Sequence, residues 1–302
     1  YELFVTGVAY NWFVDEESMT VLNLPMNKWD IEGNNMYKLT DISGNNLIAY
    51  AGDGTGKNVP ELTDDGVGKG MKFNGNEFIK IPYISNLDNQ FKDLDKFSVE
   101  FIFKNNENKK GALLSRVSDN GGFLLGFDKS TEEGVEVGKI VFMIFTKGAN
   151  GEFNPDTTFE YSLGGQISWH HIYVLFNKEL KEIDIYLDGE KVNTGKISFD
   201  GKEDLIFGSS DLYIGTLSLK DAQGQPNYQE SFKGIIDEFK IYNNPLSQEQ
   251  IQANYDVLFN DKKELKVTAS YTNNNIIAPA THGDCGNWKV KSYLTTNEGF
   301  LI

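Results

Sequence analysis

The chain has 302 residues with 28 Lys+Arg against 44 Asp+Glu, a formal net charge of −16, and a hydrophobic content of 39%. That length supports one large core with appendages, or two unequal domains. The only arginine is Arg116 and the balance is acidic, so nucleic acid and anionic membrane, which call for clustered cations, are poor partners. No apolar run approaches a membrane span; Ile140–Phe145 is the longest kind present. Aromatics reach 13%, with 21 Phe and 14 Tyr, which favours pleated, half-buried surfaces and tilts the reading to β. The acidity reads as solubility, with cation binding or repulsion between displayed copies as its functional alternatives.

In chain order, residues 1–19 read as one or two strands, with Leu3, Val5 and Phe13 among polar residues. Residues 20–258 form the main body, punctuated every eight to twelve residues by Gly, Asn and Asp, the rhythm of a sandwich or barrel. Phe73–Ile81 reads as a hairpin around Asn74-Gly75-Asn76, and Phe97–Phe103 as a strand by its period of two. Gly122–Phe127, Lys139–Phe145 and His171–Phe176 read as short strands buried on both faces. Ile183–Val192 is a hairpin whose Asp188-Gly189 pair supplies the positive φ of a type I′ turn. Leu212–Leu217 and Ile235–Tyr242 are further strands.

One helix is predicted after Pro245. Ser247 followed three residues later by Gln250 forms a capping box, and Leu246, Ile251 and Tyr255 mark an apolar side that places this short helix at the sandwich edge. Residues 259–302 open on the charged patch Asp261–Glu264 and return to strand-like text. Glu2-Leu-Phe-Val-Thr6 and Glu264-Leu-Lys-Val-Thr268 share a pattern, so each end is read as an accessory β segment or the start of a further unit. The chain opens on Tyr1 rather than methionine and is read as processed or excised, which is compatible with a removed export signal. Cys285, the single cysteine, has no partner for an internal disulfide, and an inert thiol or an intermolecular link stays open.

From residue 20 to 258 the chain resembles the bacterial laminin G-like, concanavalin A-like jelly-roll family. The resemblance rests on Asp41-Ile-Ser-Gly-Asn45, Gly70-Met-Lys-Phe-Asn-Gly75 with Phe78-Ile-Lys-Ile81, Phe97–Phe103, and Trp169-His-His-Ile-Tyr173 with Ile185-Tyr-Leu-Asp-Gly189. It is completed by Ile236–Tyr242 with Leu246-Ser-x-x-Gln250-Ile251. It implies an all-β jelly-roll sandwich with small β appendages at both ends. It also implies a structural Ca²⁺ whose ligands fall, by motif, on Asn27, Gly75 and Asp237; the family's N-terminal ligand is acidic and Asn27 is neutral, which weakens the site. Trp169 follows the family's structural pattern and is expected in the core.

Catalytic patterns fare poorly. Jelly-roll glucanases carry Glu-x-Asp-x-x-Glu or Glu-x-Asp-x-Glu; here Glu182-Ile-Asp184 begins that motif, but Tyr186 and Leu187 occupy the acid/base positions and Asp188 sits in the turn. His170 and His171 point to opposite faces of a strand and cannot chelate one metal; one is expected packed and one at the surface, with His282 remote. Gly52–Lys57 lacks phosphate-loop spacing and reads as a plain loop, and no Gly-x-Ser-x-Gly occurs. Two loops carry sugar-binding chemistry: Ser118–Gly121 with Asp119 and Asn120, and Gln225–Tyr228 with Asn227 and Tyr228. The expected function is a non-catalytic, extracellular, cell-surface or virion-displayed module binding a glycan or surface glycoprotein. The alternative is a structural or decoration subunit joined to copies of itself through its terminal strands. A jelly-roll glycoside hydrolase is the third.

Overall fold

The protein is described here from a computed structural model. The described residues are 20–259, except 34–35, 67–68, 84–94, 107–108, 133, 148–152, 165–167, 193–196, 199–200, 209, 221–222 and 224, together with 271–272 and 275–276. Residues 1–19, His282, Cys285 and the two similar end segments lie outside them.

The strands in chain order are β1 (Thr20–Leu24), β2 (Asp30–Glu32), β3 (Met36–Thr40), β4 (Ile48–Ala51), β5 (Glu61–Thr63), β6 (Gly70–Asn74) and β7 (Ile79–Ile81). They continue as β8 (Lys96–Asn105), β9 (Gly111–Ser118), β10 (Gly121–Glu132), β11 (Val135–Lys147), β12 (Phe153–Gly164), β13 (Trp169–Asn177) and β14 (Glu182–Leu187). The last are β15 (Glu190–Lys191), β16 (Ile197–Ser198), β17 (Leu212–Ile214), β18 (Leu217–Lys220), β19 (Pro226–Gln229), β20 (Lys233–Tyr242), and the pair β21 (Tyr271–Thr272) and β22 (Asn275–Ile276). Among the described residues two helices join them, α1 (Glu203–Phe207) and α2 (Gln248–Phe259).

The strand-to-strand pairings among the described residues are antiparallel. The first sheet runs β15-β14-β13-β8-β20-β6-β5, with β1 on β20 and β16 on β14; the second runs β12-β11-β10-β9-β17-β7-β4-β3-β2. Alternation decides which residues meet between the sheets. Val99, Phe101 and Phe103 of β8 and Ile172, Val174 and Phe176 of β13 pack against Phe123 and Leu125 of β10 and Phe142 and Ile144 of β11, all buried in one cluster. Phe176 spans the gap, stacking on Phe97 at 4.4 Å and meeting Phe123 at 5.2 Å. Each such side chain contributes about 1.5–3 kcal/mol by leaving water.

Several local readings hold in detail. Asp188 (φ 52°) and Gly189 (φ 83°) form the type I′ turn between β14 and β15. The Asp41–Asn45 segment is a clamp: Asp41 accepts the amides of Asn23, Ser43 and Leu47, and the Asn45 amide donates to the carbonyls of Thr20 and Val21. Asp53 folds its own loop by accepting from Thr55 and Lys57, so Gly52–Lys57 is the plain loop expected. The capping box is made, with Ser247 Oγ accepting Gln250 N at 3.3 Å and Gln250 Oε1 accepting Ser247 N at 2.8 Å. Ser247→Ala is expected to cost about 1 kcal/mol in urea unfolding, since one helix amide loses its acceptor.

Four readings are corrected. Phe73–Ile81 is not a hairpin: β6 belongs to the first sheet and β7 to the second, so the chain crosses between layers at Gly75–Phe78. Leu212–Leu217 is not one strand; it breaks at Gly215 (φ 88°), where the chain leaves the second sheet for the separate hairpin β18–β19. The apolar runs at Gly122–Phe127 and Lys139–Phe145 are parts of strands of 12 and 13 residues, because the polar flanks keep pairing up to Glu132↔Val135. Helix α2 also lies on the outer face of the first sheet rather than its edge: Leu246 and Ile251 pack on Tyr173 and Tyr242.

Candidate ligand-binding face

Residues directly opposite each other in an antiparallel pair share a face. Register therefore builds a continuous row across the outside of the second sheet: Lys38↔Tyr50, Tyr50↔Lys80, Lys80↔Tyr213, Tyr213↔Ser115, Ser115↔Leu124 and Leu124↔Met143. The short strands put these residues outside because their flanks point in, as in Ile79-Lys80-Ile81 and Leu212-Tyr213-Ile214. The hairpin β18–β19 lies over the middle of the row. Leu217 packs with Ala112, Leu124 and Phe145, and Ser115 Oγ donates to the Thr216 carbonyl at 2.7 Å.

On one side of the hairpin the row is aromatic and charged. Tyr228 stacks on Phe78 at 4.3 Å and lies 6.2 Å from Tyr213. Lys80 pairs with Asp211 at 2.7 Å, and Lys38 Nζ sits 5.8 Å from the centre of the Tyr50 ring. Burial raises the Tyr228 hydroxyl above its ordinary value, and the neighbouring Tyr213, Asp53 and Asp211 push it the same way. Burial likewise raises Tyr213. Both phenols stay neutral; Tyr213 is buried beneath the hairpin with its hydroxyl beside Ser218 and Asp211, while Tyr228 is half-buried. Tyr50 is half-buried, Lys80 and Asp211 are about one-third exposed at 35% and 28%, and Asp53 is exposed. On the other side Leu124, Gly126, Val141 and Met143 line an apolar recess, with the Lys110–Glu230 ion pair at 3.2 Å on its rim.

Of the residues chosen from sequence, Asn227 and Tyr228 fall on β19 in this face. The Tyr228 ring is a packed wall rather than a free rim group, while Asn227 is exposed. Asp119 and Asn120 turn between β9 and β10, four positions past Ser115, on the order of 13 Å along the strand. The Asn120 carbonyl accepts Lys147 N at 3.0 Å. Tyr50, Lys80, Asp211 and Tyr213 were missed; Tyr50, Lys80 and Tyr213 sit between apolar residues in strands of three or four residues, too short to assign a face without the register, and Asp211 precedes its strand.

The structure does not bring together the three calcium ligands that the resemblance implies. Gly75 lies just past the pair Asn74↔Lys233 and Asp237 just past Met71↔Ile236, at opposite ends of the β6–β20 ladder, on the order of 16 Å apart. The Lys233 side chain packs over Gly75, a cation where a cation would have to bind. Buried Asp237 accepts Glu238 N at 2.9 Å and packs beside Gly66 and Gly70. Asn27 lies three residues beyond Leu24, whose partner on β20 is Phe239. This set does not fit a shared Ca²⁺, and no group of three or more His, Cys, Asp or Glu able to hold a metal occurs among the described residues.

The glucanase motif keeps its polar residues on one face but lacks the acid/base carboxylate there. Ile183, Ile185 and Leu187 enter the core, while Glu182, Asp184 and Tyr186 point out, Asp184 pairing with Lys191 at 2.8 Å. The histidines do part company, but both are packed. His171 is wholly buried under α2 and bonds Glu100; the His170 side chain is 12% exposed, sits 5.7 Å from the Phe103 ring, and bonds Asp188. Trp169 is not a core residue: it is half-exposed opposite Lys104, its indole N–H donating to Asp65 at 3.3 Å.

Comparison with known proteins bears on this architecture. No curated protein matches the chain in sequence. Among solved structures, the binding domain of botulinum neurotoxin DC in complex with rat synaptotagmin II aligns with a TM-score of 0.53 at 16% identity, over 80% of this chain and 52% of that one. The binding domain of botulinum neurotoxin DC in complex with SialylT gives 0.52 at 16% identity, over 81% and 52%. The botulinum neurotoxin serotype D binding domain gives 0.52 at 16%, over 79% and 51%. The chain thus spans about half the length of these structures, and at such identity the likeness is one of fold. A family model of the laminin G-like type, described as the concanavalin A-like lectin/glucanases superfamily, matches residues 73–252, which hold both halves of the sandwich and all of the outer face except β2–β4. The chain belongs to the concanavalin A-like lectin/glucanases superfamily.

Proposed function

We propose that this is a binding module that recognises a carbohydrate through the outer face of the second sheet and does not cleave it. The observation that carries this reading is the row Lys38–Tyr50–Lys80–Tyr213 with Tyr228 beside it and Asp53 and Asp211 at its margin. A sugar ring needs a flat apolar surface for its C–H face and charged or amide groups for its hydroxyls, and half-buried Tyr50 between Lys38 and Lys80 supplies both on rigid strands, with buried Tyr213 as their support. Solved relatives in fold include a neurotoxin binding domain in complex with SialylT and another with synaptotagmin II, which supports a module that docks surface ligands. A retaining or inverting glycosidase needs two carboxyls facing each other across about 5–10 Å of open cleft. Asp211 is committed to Lys80 and Asp53 to its own loop, so neither is free for that work.

The test is a glycan array followed by calorimetry on the full chain. Saturable binding of at least one glycan is expected, and Tyr50→Ala is expected to weaken it about 10-fold or more, the loss of one stacking ring at about 1.5 kcal/mol. The unfolding midpoint of that variant should change little, because Tyr50 is half-buried on the outside. A blank array, or full affinity in Tyr50→Ala, overturns the reading. Hydrolysis of a bound glycan would overturn the non-catalytic part of it.

A further inference from the structure

At the end of the first sheet, remote from the face described above, three side chains form a relay. Ser168 immediately precedes β13 and His170 is its second residue, so the period of two puts both side chains on one face. Asp188 is the first residue of the β14–β15 turn. Its left-handed backbone is fixed by its own amide donating to the His171 carbonyl at 2.8 Å, and its Oδ1 accepts His171 N at 2.9 Å. The other oxygen, Oδ2, lies 2.8 Å from His170 Nδ1, and Ser168 Oγ lies 2.9 Å from His170 Nε2.

The order of contacts sets the protons. A carboxylate on Nδ1 holds the N–H there, which leaves the Nε2 lone pair to accept the Ser168 hydroxyl. That is the arrangement in which an imidazole, oriented by an acid, can take a serine proton as the oxygen attacks an electrophile. The ring is positioned further by Phe103 at 5.7 Å, and Ser168 is half-buried rather than sealed.

We propose that Ser168 is an activated nucleophile, with His170 as its general base and Asp188 as the positioning residue, and that it accepts acyl groups from activated esters. In the step, Ser168 Oγ forms a bond to the acyl carbon while its proton passes to His170 Nε2. The ester C–O bond breaks, and the leaving alcohol takes that proton from His170. Water, deprotonated by the same nitrogen, then cleaves the acyl-serine to release the carboxylic acid and restore Ser168.

The experiment is labelling of the full chain with a fluorophosphonate probe, in which Oγ displaces fluoride at phosphorus, read by peptide mass spectrometry, alongside p-nitrophenyl acetate turnover. Label on Ser168 and none in Ser168→Ala is the expected result. His170→Gln should slow labelling by about 10²-fold or more. In Asp188→Asn the pH profile of labelling should be displaced, a change that a merely structural turn residue would not produce. Because Asp188 also holds a backbone amide, the unfolding midpoint of each variant is measured beside its rate. Absence of label at Ser168 in the folded wild type, or equal labelling in folded His170→Gln, overturns the proposal. Neither outcome touches the carbohydrate face, which shares no residue with this relay.

Discussion

Replacing Glu100 with leucine is expected to destabilise the fold by about 3–5 kcal/mol, the usual cost of removing one partner from a buried charged network. Glu100 is 2% exposed, on the outer face of β8 beneath α2. Its two oxygens accept from His171 Nε2 at 2.7 Å, from the Tyr242 hydroxyl at 2.5 Å, and from the Asn254 amide at 2.9 and 3.1 Å. Lys240 stands directly opposite on β20. Burial by itself raises the carboxyl, but the hydrogen bond and charge of His171, then Lys240 and Tyr242, outweigh it and hold Glu100 at about 2. Burial also pulls Lys240 down to about 8 against the attraction of Glu238 and Glu100. Leucine would leave the Tyr242 hydroxyl and the Asn254 amide facing hydrocarbon and would take from Lys240 one of its carboxylate neighbours, and α2 would lose a polar anchor to the sheet.

The same carboxylate has a pH signature. Its folded value of about 2 lies below the ordinary 4.5, so between those values the unfolded chain holds the proton more often. Stability from this group is complete above about pH 5 and is lost as pH falls toward 2, on the order of 3 kcal/mol in all. In Glu100→Gln the acid limb of stability against pH should be shallower by one proton. Chemical denaturation at a series of pH values measures both effects. An unchanged acid limb in the Gln variant would show that Glu100 is not ionised in its site.

That network shows what pattern can and cannot reveal. The Phe97–Phe103 strand was legible because phenylalanines alternate there, yet Glu100 then reads as a solvent-facing residue of the same alternation. Burial of its face comes from α2, whose start was legible in Ser247 and Gln250 but whose docking place was not. The type I′ turn was legible because Asp-Gly carries its own backbone preference. The carbohydrate face was not, because Tyr50, Lys80 and Tyr213 come from three strands separated by up to 163 residues and meet only through register. The calcium set was likewise read from motif order alone. Gly75 and Asp237 do flank one strand pair, but motif order does not say at which end.

Gly215 carries the second large effect and ties stability to that face. Gly215→Ala is expected to cost about 2–5 kcal/mol, from about 1–2 for a left-handed alanine and a further overpacking cost of about 1–3. The backbone has φ +88°, its amide donates to the Leu113 carbonyl at 3.1 Å, and its carbonyl accepts Phe232 N at 2.9 Å, so the turn cannot rotate away without losing both bonds. An added Cβ would stand 2.5 Å from the Phe73 ring, which is 1% exposed and packed against Phe232 at 6.2 Å. At this glycine the chain quits the second sheet and rises over its outer surface as β18–β19, carrying Tyr228 to Phe78 and Tyr213. Strain here should therefore loosen the hairpin first. Hydrogen exchange is expected to quicken at Leu217–Lys220 and Pro226–Gln229 while β8 and β13 stay protected, and glycan affinity is expected to fall with it. Uniform loss of protection across both sheets would mean instead that the hairpin and the sandwich open as one unit.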